Sequence, residues 1–85
     1  MVHVVEVIAE LKAGGFVNVG QGTRGRVVRV VGEKEFAIEV DDTVKGVAIP
    51  SGSFDNADEA KDVLVQFWEE CGQAIENGSV WMKLR

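Results

Sequence analysis

The 85-residue sequence predicts an α+β domain: a strongly bent antiparallel sheet, partly rolled toward a barrel, with one C-terminal amphipathic helix and a final edge strand. Three observations predict it. Two β-branched segments, Arg26–Val31 and Phe36–Val40, flank a short glycine-containing connection. Asn56 and Glu59 open a long apolar stripe at helical spacing, and residues 79–84 alternate in polarity. With so few residues the chain has room for a single domain over 1–85, which buries roughly 60–65% of its unfolded surface.

Residues 2–8, Val-His-Val-Val-Glu-Val-Ile, are dense in β-branched side chains and suggest a first strand. Val4, Ile8 and Leu11 also fall at helical spacing, and Glu10-Leu11-Lys12-Ala13 are good helix formers ahead of Gly14-Gly15. A short helix ending at Gly14 is therefore an open alternative. Phe16-Val17-Asn18-Val19 reads as a loop leading into the next strand. Arg26–Val31 and Phe36–Val40, joined by Gly32-Glu33-Lys34-Glu35, form a hairpin. In its second strand Phe36, Ile38 and Val40 oppose Ala37, Glu39 and Asp41, the alternation of a half-buried sheet. In its first strand valines fall on both faces, which implies a central position or a covered outer face.

Asp41-Asp42-Thr43 signals a turn, and Val44–Ile49 is expected as a third antiparallel strand ended by Pro50. Ser51-Gly52-Ser53 is a loop. Asn56 as N-cap with Glu59 three residues on makes a capping box, with Asp58 favourable near the positive helix end. The helix is predicted over 57–76, with Asn77-Gly78 as its stop. Ala60, Leu64, Phe67, Trp68, Cys71 and Ile75 form its apolar stripe, opposite Lys61, Asp62, Glu69, Glu70, Gln73 and Glu76. Gly72 inside it implies a neighbour packed against the backbone. A terminal strand over 79–84 sets Val80, Met82 and Leu84 against Trp81, Lys83 and Arg85, docked at a sheet edge.

Gly20-Gln21-Gly22-Thr23-Arg24-Gly25 spells GxGxxG. A phosphate-binding fingerprint needs a helix immediately after it, to supply converging N–H groups and a positive dipole end. Here the next six residues are Arg26-Val27-Val28-Arg29-Val30-Val31, a strand-forming run, so the glycines read as a bend between strands. Kinase glycine-rich loops also fit the string from Gly20 to Val27. Phosphoryl transfer further requires a positioned lysine, a catalytic aspartate and metal ligands from a larger frame, and Val28–Val31 holds no such lysine. No cofactor is expected.

The pattern Val19-x-x-Gly22-x-x-Gly25-x-Val27-Val28-x-Val30, a tight turn, then Phe36-x-Ile38-Glu39-Val40, resembles small SH3-like barrels. These include KOW-like modules and compact bacterial barrel proteins of unknown function. The resemblance covers residues 2–50, and the helix and closing strand depart from the bare barrel. It implies a curved β architecture and, through the KOW-like modules, contact with nucleic acid.

Composition excludes more than it assigns. The chain is 46% hydrophobic and 27% charged, ordinary for a globular domain and unlike disorder. No apolar run approaches the length of a membrane span, no signal-peptide pattern opens the sequence, and the cytoplasm is the expected compartment. Cys71 is a single cysteine, so no internal disulfide forms, and with His3 it offers no four-ligand zinc set. Asp41-Asp42 and Asp58-Glu59 are paired acids with no histidine at motif spacing, explained by turn chemistry and the helix dipole. No catalytic constellation exists, and the chain is not expected to be an enzyme.

The expected function is a small interaction module, a homo-oligomer associating through an apolar strand or helix face. Val28, Val30 and Trp81 are its candidate interface residues, with Trp68 in the core. The alternative is a nucleic-acid contact through a basic patch of Arg24, Arg26, Arg29 and Lys34. Formal net charge is −5, which disfavours a polyanion at long range. The charge is uneven, +2 over residues 1–34 and −7 over 35–85, and the basic bend has carboxylates such as Glu69 and Glu70 as possible mates. A small-molecule site between helix and sheet is a third reading.

Overall fold

The computed structural model describes residues 4–16 and 22–84. Strands β1 (Val5–Ala13), β2 (Thr23–Val30) and β3 (Ala37–Val40) form an antiparallel sheet in the order β1-β2-β3. Strands β4 (Asp42–Val44) and β5 (Trp81–Lys83) form a second, two-stranded sheet, and helix α1 (Ala57–Glu76) lies between them in sequence. The sheet is strongly bent and does not close into a barrel. Among the described residues, no helix is long and apolar enough to cross a membrane.

Of the expected first strand 2–8, residues 5–8 open a longer strand, and residues 2 and 3 lie outside the described residues. β1 extends to Ala13 and excludes the helix ending at Gly14, because its β-branched residues pair with the valines of β2: Val5 with Val30, Val7 with Val28. A bulge at Ile8 breaks the ladder between Val7 and Ala9. β2 occupies the centre, which accounts for valines on both of its faces. The hairpin to β3 turns where the Glu33 N–H donates to the Val30 carbonyl at 2.9 Å.

Two strand expectations need correction. The third strand is Asp42–Val44, not Val44–Ile49, and its partner is β5. The Val47 N–H donates to the Val44 carbonyl at 3.1 Å, and Gly46 between them has φ +90. That left-handed position suits glycine and turns the chain away from an extended course. Asp41 acts as the hinge, since its N–H donates to Arg24 of β2 while its carbonyl accepts from Leu84. The terminal strand is accordingly Trp81–Lys83, on β4 of the smaller sheet rather than on the edge of the larger one. Beyond β4, Phe36 and Phe54 exchange backbone N–H···O bonds of 2.9 and 2.8 Å beside the start of β3.

The helix obeys its sequence signals from end to end. Asn56 is extended and its Oδ1 accepts from the Glu59 N–H at 2.8 Å. At the other end Ser79 N–H donates to Ala74 and Gly78 N–H to Ile75, with Gly78 at φ +99, a Schellman stop. All six stripe residues are buried. Leu64, Phe67, Trp68, Cys71 and Ile75 join Val40 and Val44 in the core, flanked by Leu11, Ala13, Phe16, Ile38 and Trp81.

Gly72 faces the Phe16 ring, but a methyl there would sit 3.6 Å from it, an ordinary contact. Close packing therefore does not require the glycine. Gly72→Ala is expected to raise stability by up to about 1 kcal/mol through helix propensity, read as a higher thermal midpoint.

Candidate functional site

The register sorts the large sheet into two faces. Thr23, Gly25 and Val27 of β2, with their partners Ala13, Leu11 and Ala9, face the helix, and Gly25 lies against Leu64 and Trp68. Arg24, Arg26, Val28 and Val30 take the outer face, beside Lys12, Glu10, Val7 and Val5 of β1. The outer face is charged at one end and valine-rich at the other.

Arg26 holds the charged end together. It is buried, and its Nη2 donates to Asp41 Oδ1 at 2.6 Å, while Nε reaches Glu39 at 3.4 Å and Nη1 lies 3.7 Å from Glu10. The hydrogen bond to Asp41 holds its guanidinium pKa above the ordinary value, against the opposing effect of burial. Arg29 turns to the helix side of the sheet, pairs with Glu6, and stacks 5.7 Å above the Phe36 ring. Arg24 is exposed beside Asp41, Asp42 and Lys83, and Lys34 is exposed in the hairpin loop. The four basic residues are thus divided between two faces and a loop, and Arg26 and Arg29 are already paired with carboxylates. Those carboxylates are Glu6, Glu10, Glu39 and Asp41, not Glu69 or Glu70.

At the other end, large apolar side chains are left in water. Val4, Val7 and Val31 are more than half exposed (54, 56 and 58%) and Ile8 is 39% exposed. They gather at one end of the sheet without sharing a face: Val4 and Val31, joined by the Val31 N–H to Val4 carbonyl bond, lie on the helix side with Arg29, Val7 lies on the outer face opposite Val28, and Ile8 sits at the bulge. The candidate interface residues fall differently. Val28 is only 3% exposed and Val30 is half-buried. Trp81 is half-buried and packs against the core, edge-to-face with Phe16 at 5.0 Å. On β5 and its flanks the outward residues are Val80, Met82 and Leu84. Compared with protein-family models, curated proteins and solved structures, the chain gives no match.

The remaining reactive groups have structural settings. In the GxGxxG string, Gly20 and Gln21 lie outside the described residues, and the segment after it is strand β2, not a helix. Neither Gly22 nor Gly25 has a positive φ. Their requirement is close approach: a Cβ at Gly22 would overlap the Ala13 carbonyl, and one at Gly25 would press on three neighbours. Asp42 accepts from Thr23 Oγ1 at 2.7 Å, while Asp58 and Glu59 occupy the first helical turn. Among the described residues, no group of three or more His, Cys, Asp or Glu is placed to hold a metal ion; His3 lies outside them. A groove of about 400 Å³ runs between Gly14-Gly15-Phe16 and the helix residues Val65, Trp68 and Gly72, where the small-molecule reading would place its ligand.

Cys71 is fully buried. Burial, followed by the nearby Glu70 charge, pushes its thiol from the ordinary 9.0 up to about 11, against a hydrogen bond from the Val44 backbone. Because the folded value is the higher one, the neutral thiol favours the fold. That contribution is intact below pH 9 and is lost as pH rises toward 11. Denaturation across this range should show stability falling with pH, and Cys71→Ala should remove that part of the slope.

Proposed function

We propose that the chain is a non-enzymatic interaction module that self-associates through the apolar end of its large sheet. The observation that carries this reading is the group of exposed apolar residues at one end of the sheet: Val7 on its outer face, Ile8 at the bulge of the edge strand β1, and Val4 with Val31 on the helix side. Singly exposed valines are common on monomers, but several large apolar side chains exposed around one end of an unpaired edge strand favour burial against a partner. The pairing of Arg26 and Arg29 with carboxylates supports association with protein over association with a phosphate backbone.

Sedimentation velocity across the micromolar range tests the proposal. The parent chain is expected to shift from monomer to a larger species as concentration rises. The Val7→Lys/Ile8→Lys double variant is expected to remain monomeric with an unchanged circular dichroism spectrum, because both side chains are exposed in the folded monomer. A parent chain that stays monomeric throughout, or a double variant that assembles as the parent does, overturns the reading.

A further inference from the structure

The open edge of β1 has a polarity that limits which strand it can accept. β1 is an outer strand, and its far side pairs with no strand among the described residues. The Arg24 carbonyl accepts from the Asp41 N–H, so the backbone groups of Arg24 point toward β3. Those of Thr23, Gly25 and Val27, which alternate with it, point toward β1. Their partners Ala13, Leu11 and Ala9 therefore point into the sheet, and Glu10 and Lys12 direct their N–H and C=O groups outward from the edge. Beyond the bulge the phase changes: Val31 N–H donates to the Val4 carbonyl, so Val4 and Glu6 point into the sheet.

A second copy added antiparallel about a two-fold axis must set outward residues against outward residues. Centring the axis on Glu10 or on Lys12 places like charges face to face, which is destabilising. Centring it on Ala9 sets Lys12 against Glu6, whose backbone is turned the other way. Centring it on Leu11 sets Glu10 against Lys12 twice, Ala9 against Ala13 twice, and Leu11 against itself. Of these four registers, the last alone satisfies both the outward backbone groups and the charges. Lys12 is exposed and has no carboxylate within ion-pair distance among the described residues, while Glu10 is half-exposed with only its 3.7 Å contact to Arg26. In the same register Ile8 and Val7 run beside Gly14 and Gly15 of the other copy. A Cβ at either glycine would meet nothing within 4 Å, so there is room for the apolar side chains.

We infer that a second copy of this chain docks on the β1 edge with its two-fold axis at Leu11, giving a continuous six-stranded sheet with both helices on one face. Glu10 and Lys12 of each copy exchange backbone hydrogen bonds as well as charge. This rests on the self-association reading and adds its partner and register.

Lys12→Glu places two glutamates against each other at both ends of the paired segment and removes no ion pair within the described monomer. It is expected to raise the dimer Kd roughly tenfold or more. Independently, Ala9→Cys mixed with Ala13→Cys under mild oxidation is expected to give a disulfide-linked dimer that neither variant gives alone, with the buried Cys71 taking no part. If the parent chain dimerises but Lys12→Glu leaves its Kd unchanged and the mixture does not cross-link, the register is wrong while self-association stands. If the parent chain never leaves the monomer, both fall.

Discussion

Gly25→Val is expected to be the most damaging single substitution in the sheet, lowering stability by about 3 kcal/mol. A Cβ at position 25 would lie 3.1 Å from the Glu39 carbonyl oxygen, 3.1 Å from Leu64 Cδ1 and 3.1 Å from Trp68 Cζ2. One of these atoms belongs to the backbone of β3 and the others to the deepest part of the helix stripe, so none can swing aside alone. Two further methyl groups must move the helix or split the β2–β3 ladder. The denaturant midpoint should fall steeply, and Gly25→Ala should lie between the parent and valine. Gly14→Ala, where a Cβ meets nothing within 4 Å, is the matched control. A Gly25→Val protein as stable as the parent would mean that α1 does not rest on β2.

Arg26→Met should cost about 2–3 kcal/mol. Methionine keeps much of the apolar stem but removes the guanidinium that binds Asp41 at 2.6 Å and draws in Glu39 and Glu10. Three carboxylates from β1, β3 and the bend after β3 then share a small region without the cation between them. Their repulsion is screened by salt, so the deficit measured by urea unfolding should shrink as ionic strength rises. The same loss at low and high salt would assign the effect to packing instead. Lys12→Met on the same face is the comparison, since Lys12 has no such ion pairs among the described residues, and its stability should stay close to the parent's.

The helix is legible in the sequence because its signals repeat. Its polarity period runs through five turns, the Asn56 cap and the Asn77-Gly78 stop bracket it, and all six stripe residues are buried. The β2–β3 hairpin is legible for the same reason. The short strands are not. β4 and β5 span three residues each, too few for a polarity period to separate strand from turn, and their pairing depends on the hinge at Asp41. Alternation in Val80–Leu84 marks two faces without saying which is inner, so the inward turn of Trp81 emerges only from its packing on Phe16.

The proposed association surface is hidden by its composition. A run such as Val4-Val5-Glu6-Val7-Ile8 looks like buried strand whether or not anything covers it, and exposure at Val7 and Ile8 depends on the bulge and on β1 lying at the edge. Three successive apolar residues, Val7-Ile8-Ala9, interrupt the strand alternation and are the available sign of that bulge. Arg26 could not be read as a structural ion from local sequence, because Glu10, Glu39 and Asp41 meet it only through strand pairing.

The Phe36–Phe54 bridge has a consequence for growth in the direction across the strands. It blocks the start of the β3 flank, while the inferred symmetric β1 contact would consume the other flank of both participants at once. In a pair joined in that way, the short Ala37–Val40 edge of β3 would be what the large sheet still offers to the open-ended stacking that turns uncapped sheets into fibrils.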